Sequence, residues 1–305
     1  MTPAWVEVAI RLAQFSFGLV LFGLPAFALY RGQAWRETEG ASVPVHGLLV
    51  LSTLGLFLAA TAAVLALTVN MYGSLADAFD VEAVWSVLTG LQVGMALGVR
   101  LILAAAFLLV LLLVPHRPVK QVMLLVIGGL IVAGFAWSGH GAATEGPWGL
   151  LHLGSDVLHL LAAAIWIGAL VVLSCVIARA SGPEDVALAR DDLTSFSNLG
   201  TAAVLVIVVT GLINSAVLVG LDGISEMAIH PYGQILLAKV AMFAAMVGLA
   251  ATNRFLLVPR LERQAAEPAR ALSGLKVSVG VETGLGFLVL LAVSVMGRIA
   301  PMTGG

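Results

Sequence analysis

The stretch Asp156-Val-Leu-His159-Leu-Leu-Ala-Ala-Ala-Ile-Trp166-Ile-Gly168-Ala-Leu-Val-Val-Leu-Ser-Cys175-Val-Ile-Ala178 decides how this chain is built. After its first turn it is apolar almost to its end, and it exceeds the roughly 20 residues that cross the hydrocarbon core of a bilayer as a helix. Its beginning continues the run His152-Leu-Gly-Ser-Asp156-Val-Leu-His159. A period of 3.6 places His152, Asp156 and His159 in a narrow arc of one helix face. Ionisable groups at membrane depth are expensive, so this arc marks an ion, proton or cofactor site.

Runs of the same kind recur along the chain, at 5–30, 46–68, 90–114, 121–138, 156–178, 199–221, 234–258 and 277–299. The expected fold is all-α: a polytopic membrane bundle of eight transmembrane helices, forming one domain over 1–305 with no soluble domain. The hydrophilic connections are too short to fold alone. Composition agrees, since 60% hydrophobic residues, 10% charged residues and a mean hydropathy of +1.06 fit no soluble domain of this length. The first run carries a cleavage-like Ala26-Phe27-Ala28. No Lys or Arg precedes the run, which is too long for a signal-peptide core, so it is expected to remain a helix.

Lys and Arg are retained on the cytoplasmic side of membrane proteins. Arg31 and Arg36, Arg117 and Lys120, Arg179 and Arg190, and the group Arg254, Arg260, Arg263, Arg270 and Lys276 all fall at alternate connections. The intervening connections hold only acids, such as Asp77, Asp80, Glu82, Glu145, Asp222 and Glu226. Both termini are therefore expected outside, in the periplasm of a bacterium. The formal net charge of −2 gives no reason to expect nucleic acid. A lone cysteine, Cys175, excludes a disulfide framework.

On that topology His140, His152, His159 and His230 lie outside, and His46 and His116 lie at cytoplasmic helix ends. The short connection between the fourth and fifth helices makes them antiparallel neighbours and brings His140 toward His159. His152 and His159 are about 10 Å apart along a helix, too far to share one ion. Asp156 has the one-turn spacing to either. The expected metal site is therefore His140, Asp156 and His159, with His152 as an outer relay or second ligand. Imidazole suits copper and zinc, and thioether sulfur favours Cu(I). Met71, Met227, Met296 and Met302 lie at or near the same surface as soft-ligand support, although scattered methionines ordinarily pack.

Other intramembrane polar groups admit both structural and functional roles. Arg11 has Glu7 one turn away, a spacing that allows an ion pair. Lys239 lies at a depth comparable with Asp156, so a contact between them is allowed; snorkelling to the headgroups is the alternative. Arg100 falls mid-helix and must face the bundle interior or water, with backbone carbonyls or Asn214 and Thr210 as candidate partners. Glu282 is best placed to clamp Arg254. On a transport reading, Arg100, Asn214 and Glu282 mark deeper stations, with Cys175 or His116 as an inner acceptor.

The run from Asp156 through His159, Trp166 and Gly168 to Leu170 resembles the signature helix of the CopD family of bacterial copper-resistance membrane proteins. Phe196-Ser197 through Thr210-Gly211-Leu212 resembles the family's sixth helix, and Tyr232-Gly233 through Lys239 to Asn253-Arg254 its seventh. Arg11 with Phe22-Gly23 in the first helix is also similar. This resemblance implies copper handling at the inner membrane, with copper as the bound ion and a separate periplasmic copper-binding partner of the CopC type.

Two other classes stay open. A membrane b-type cytochrome would ligate haem through His140 with His159 and through His46 with His116. A non-transporting docking or assembly subunit would use the acidic outer loops to meet a periplasmic partner. An enzyme is not expected, because the sequence holds no His-Glu-x-x-His, no Walker loop and no nucleophile elbow.

Overall fold

A computed structural model describes residues 2–32, 45–115, 118–139, 147–179, 183–220, 222–263 and 268–302. Eight helices among them are long and apolar enough to cross a membrane. They are built on α1 (Ala4–Arg31), α2 (Val45–Tyr72), α3 (Gln92–Leu113), α4 (Pro118–Ala133, whose span runs on to Ser138), α5 (Pro147–Arg179), α6 (Pro183–Val219), α7 (Pro231–Thr252) and α8 (Pro268–Met296). Five of these helices open on proline, which lacks the N–H that the first turn leaves unpaired and whose fixed φ suits that position.

Several helices outrun their apolar windows. α5 starts at Pro147, so His152 is helical, and α6 starts at Pro183. Hydropathy tracks only the part of a helix that lies in hydrocarbon, which is why the sequence windows stopped short. A short helix, Val81–Gly90, was also missed; it lies between α2 and α3, and the Asp80 side chain caps it by accepting from the Glu82 N–H at 2.9 Å.

The first four spans close a ring, α1 against α2, α2 against α3, α3 against α4 and α4 against α1. The last four do not. α5 packs on α6 and on α8, but α7 packs on α8 and leaves both α5 and α6 without substantial contact. α1 also lies against α5 and α8, which joins the two halves.

Close approach at the α1–α5 crossing depends on glycine. A Cβ built on Gly168 would collide with the Gly23 backbone, and one on Gly23 would collide with the Ala164 carbonyl. Small residues that let helix backbones touch replace the hydrophobic drive that lipid does not supply. On the other side of α1, Pro25 has no N–H to offer the Leu21 carbonyl. Gly128 of α4 packs against that carbonyl, where any side chain would clash.

The ends of α1, α2 and α8 meet at one face. The Glu7 carboxylate accepts from the Asn70 side-chain amide at 2.8 Å and pairs with Arg298 at 2.9 Å. The expected Glu7–Arg11 ion pair is not what forms, because Arg298 occupies that carboxylate and Arg11 instead donates to the Ser138 carbonyl at 3.3 Å. At the opposite face the buried Lys120 ammonium donates to the Leu111 carbonyl at 2.8 Å, closing the C-terminal end of α3.

Candidate functional site

The gap between α6 and α7 is a cavity of about 340 Å³, walled by α5 and α8 at the back. Its lining is mostly apolar and aromatic, and its polar groups include His152, Asp156, His159, Asn214 and Lys239. The arc expected on the fifth helix thus faces this space. Gly139, the residue before His140, lines the cavity as well, whereas His140 itself lies outside the described residues.

His159 is held in one orientation. Its Nδ1 is 3.0 Å from the Thr210 hydroxyl, and that hydroxyl already donates its hydrogen to the Val206 or Ile207 carbonyl on its own helix. When the hydroxyl donates there it accepts from His159, whose Nδ1 then carries the hydrogen, with the Ile207 carbonyl as a further acceptor beside the ring. Nε2 is then the unprotonated nitrogen, the form in which imidazole binds a metal, and the Thr210 bond is the outer-shell contact that fixes the tautomer. Neighbouring groups reinforce the position. Ser155 donates to the Thr210 carbonyl at 3.1 Å, and a side chain at Gly211 would touch the imidazole, with its Cβ 3.5 Å from Cε1.

Asp156 lies one turn before His159, and the Asn214 amide approaches its carboxylate at 3.4 Å. Lys239 interacts electrostatically with both Asp156 and His159, although no ion pair within 4.0 Å joins it to Asp156 among the described residues. His152 is buried. Among the described residues no three His, Cys, Asp or Glu side chains gather closely enough to hold a metal ion. What the structure brings together is the pair Asp156 and His159, with Lys239 and Asn214 beside it.

The remaining expectations divide. Of the four methionines only Met296 lines the cavity. Met227 and Met302 pack around Val219 and Tyr232, so apolar packing accounts for these two, and Met71 is exposed away from the cavity. His230 is used as the cap of α7, accepting from the Tyr232 N–H at 3.2 Å. His46 is exposed, and His116, its expected haem partner, lies outside the described residues.

Arg100 does not reach Asn214 or Thr210. It is 2% exposed, donates to Gln14 and Ser138 and to the Gly134 carbonyl, and stacks 4.2 Å over the Phe135 ring. α3 belongs to the closed half of the molecule, so α6 is out of range. Gln14 was overlooked, though it lies three residues after Arg11 on the same helix face and is among the few polar residues of its span.

Glu282 does not clamp Arg254 either. Its carboxylate accepts from the Trp166 indole N–H at 3.0 Å and from the Asn253 amide at 3.2 Å, while Arg254 turns to the Ser197 carbonyl and the Thr201 hydroxyl of α6. Trp166 and Gly168 of the signature helix therefore have separate tasks, one holding a buried carboxylate and the other admitting α1.

Fold and cavity define a multi-pass helical membrane protein whose second half is open around an acid–imidazole pair. Comparison with known families narrows this. The copper resistance protein D family matches residues 190–296, and the N-terminal domain of copper resistance protein D-like proteins matches residues 1–150. Copper resistance protein D of Pseudomonas syringae pv. tomato is 33% identical over 97% of both chains. The inner membrane protein YebZ of Escherichia coli (strain K12) is 27% identical over 98% of this chain and 99% of its own. Copper transport protein CutJ of Bacillus subtilis (strain 168) is 31% identical over 55% of this chain and 28% of its own. The chain belongs to the copper resistance protein D family.

Proposed function

We propose that this multi-pass inner membrane protein takes copper from the periplasmic side at Asp156 and His159 and moves it across the bilayer. The observation that carries this reading is the bond from His159 to Thr210, which leaves Nε2 as a lone pair on a cavity that Asp156 also faces. We assign further ligation to His140, which follows the cavity-lining Gly139, and to His152 as the outer relay. Met296 is the thioether placed to favour Cu(I).

Lys239 supplies positive charge beside Asp156 and His159 that an arriving copper ion replaces. The role is binding and passage rather than catalysis. The acid-only connections on the periplasmic side draw cations and meet a separate periplasmic copper-binding protein of the CopC type. The relatives named for copper resistance and copper transport support the same cargo.

The test is the copper-to-protein ratio of the solubilised protein, with its absorption spectrum taken on the same sample. His159→Ala is expected to remove most of the bound copper and Asp156→Asn to weaken it. An unchanged ratio in His159→Ala defeats the assignment, and a Soret band would favour the haem reading.

A further inference from the structure

Beneath the cavity lies a second polar cluster that copper chemistry does not account for. Glu282 is 2% exposed, and its two oxygens accept from neutral groups only, the Trp166 indole and the Asn253 amide. Asn253 and Ser278 are also buried, and the Asn253 side-chain oxygen and the Ser278 hydroxyl have no hydrogen-bond partner. Ser278 lies one turn before Glu282 on α8. Orphaned buried acceptors are rare and require a donor.

Among the described residues, no hydrogen bond or ion pair joins a charged side chain to Glu282. α5 contributes Trp166, and its Ser174 is bonded to Thr283. α7 contributes Asn253, while Arg254 turns away to α6 and Lys239 lies about 20 Å farther along the helix. On α1, Arg31 bonds Ser195, and on α8 Lys276 is exposed. The cluster holds hard oxygen donors without imidazole or sulfur, a poor match for copper.

Asn253 is also set apart by its backbone, because it opens a π-helical turn, Asn253–Leu257, between α7 and the short helix Val258–Arg263. Such turns interrupt the regular ladder and recur at functional sites.

We propose that Glu282 is a proton-exchanging carboxyl, with Asn253 as its partner in both protonation states and Trp166 separating it from the cavity. In the ionised state the arrangement is the one seen, with two N–H donors on the carboxylate. In the protonated state a half-turn of the Asn253 amide presents its orphaned oxygen to the Glu282 O–H. On release the O–H bond breaks, the electron pair stays on the carboxylate, and the proton passes to a water molecule that reaches the carboxyl from the cavity past Gly286. Trp166 and Gly286, one turn beyond Glu282, both line the cavity, so the carboxyl lies one side chain from it. Placed there, it can offset a cation entering the bundle by losing its proton; that coupling alone rests on the copper reading.

Infrared difference spectra of the full protein in lipid nanodiscs, stepped in pH, test the proposal. A carboxylic-acid C=O band is expected to disappear on raising the pH, to be lost in Glu282→Gln and to shift in Asn253→Ala, which keeps the carboxyl. A Glu282→Gln spectrum superimposable on wild type overturns the proposal, as does a band that responds to sodium at constant pH. Glu282→Gln is expected to keep the wild-type copper ratio, and loss of copper there would place Glu282 in the copper site instead. His159→Ala is expected to keep the band, so the copper assignment and the proton assignment fail separately.

Discussion

The α1–α5 crossing makes one chemical change act in opposite directions at two positions. In Gly168→Ala the new methyl would lie within 2.8 Å of the Gly23 carbonyl oxygen. Its neighbours are backbone, so no rotamer change relieves the overlap and the two helices must separate by about 1 Å to restore the roughly 3.5–4.0 Å at which such atoms attract. Overpacking of this kind costs up to about 3 kcal/mol. Alanine recovers about 1 kcal/mol through its higher helix propensity. The net expectation for Gly168→Ala is a loss of about 2 kcal/mol. Gly248 of α7 has no atom within 4 Å of its added Cβ, so Gly248→Ala keeps the propensity gain and loses nothing. Unfolding of both variants in detergent, followed by circular dichroism, should separate them by about 3 kcal/mol with wild type between. Midpoints that move together in sign and size would refute the idea that glycine contact joins the two halves.

Two further outcomes follow from named contacts. Arg100→Lys cannot reproduce the forked contacts to Gln14, Ser138 and the Gly134 carbonyl, and each acceptor left dry costs about 1–3 kcal/mol, so it should destabilise nearly as much as Arg100→Gln in the same unfolding assay. Thr210→Val removes the acceptor of the His159 Nδ1–H without touching a ligand, so copper affinity by competitive titration should fall about 10–100-fold with the ratio unchanged, and Thr210→Ser should restore it.

Which parts of this were legible in the sequence follows from what each signal measures. The eight spans were, because a peptide unit in hydrocarbon must be paired within a helix or a closed barrel, and runs of about 20 apolar residues are the pattern of the helix. The arc of His152, Asp156 and His159 was too, because helical period alone puts the three on one face, and all three line the cavity. The partners of Arg100 and Glu282 were not. Depth along a helix can be counted from sequence, but which helices face each other is set by contacts such as Gly23 with Gly168: Arg100 met α1 and the end of α4 instead of α6, and Glu282 met Trp166 of α5 together with Asn253, the residue beside the expected Arg254. Thr210 stood in a recognisable stretch, yet its task depends on a hydroxyl hydrogen already committed within its own helix. The open side between α6 and α7, which creates the cavity, has no counterpart in hydropathy at all. His140, the proposed third ligand, lies outside the described residues.

Anomalous scattering at the copper edge from copper-loaded crystals reports directly where copper sits. A peak is expected in the cavity between α6 and α7, within about 2 Å of His159 Nε2 and bonded to the Asp156 carboxylate. A peak away from both residues, for instance on the exposed Met71 or against Met227 and Met302, would contradict it.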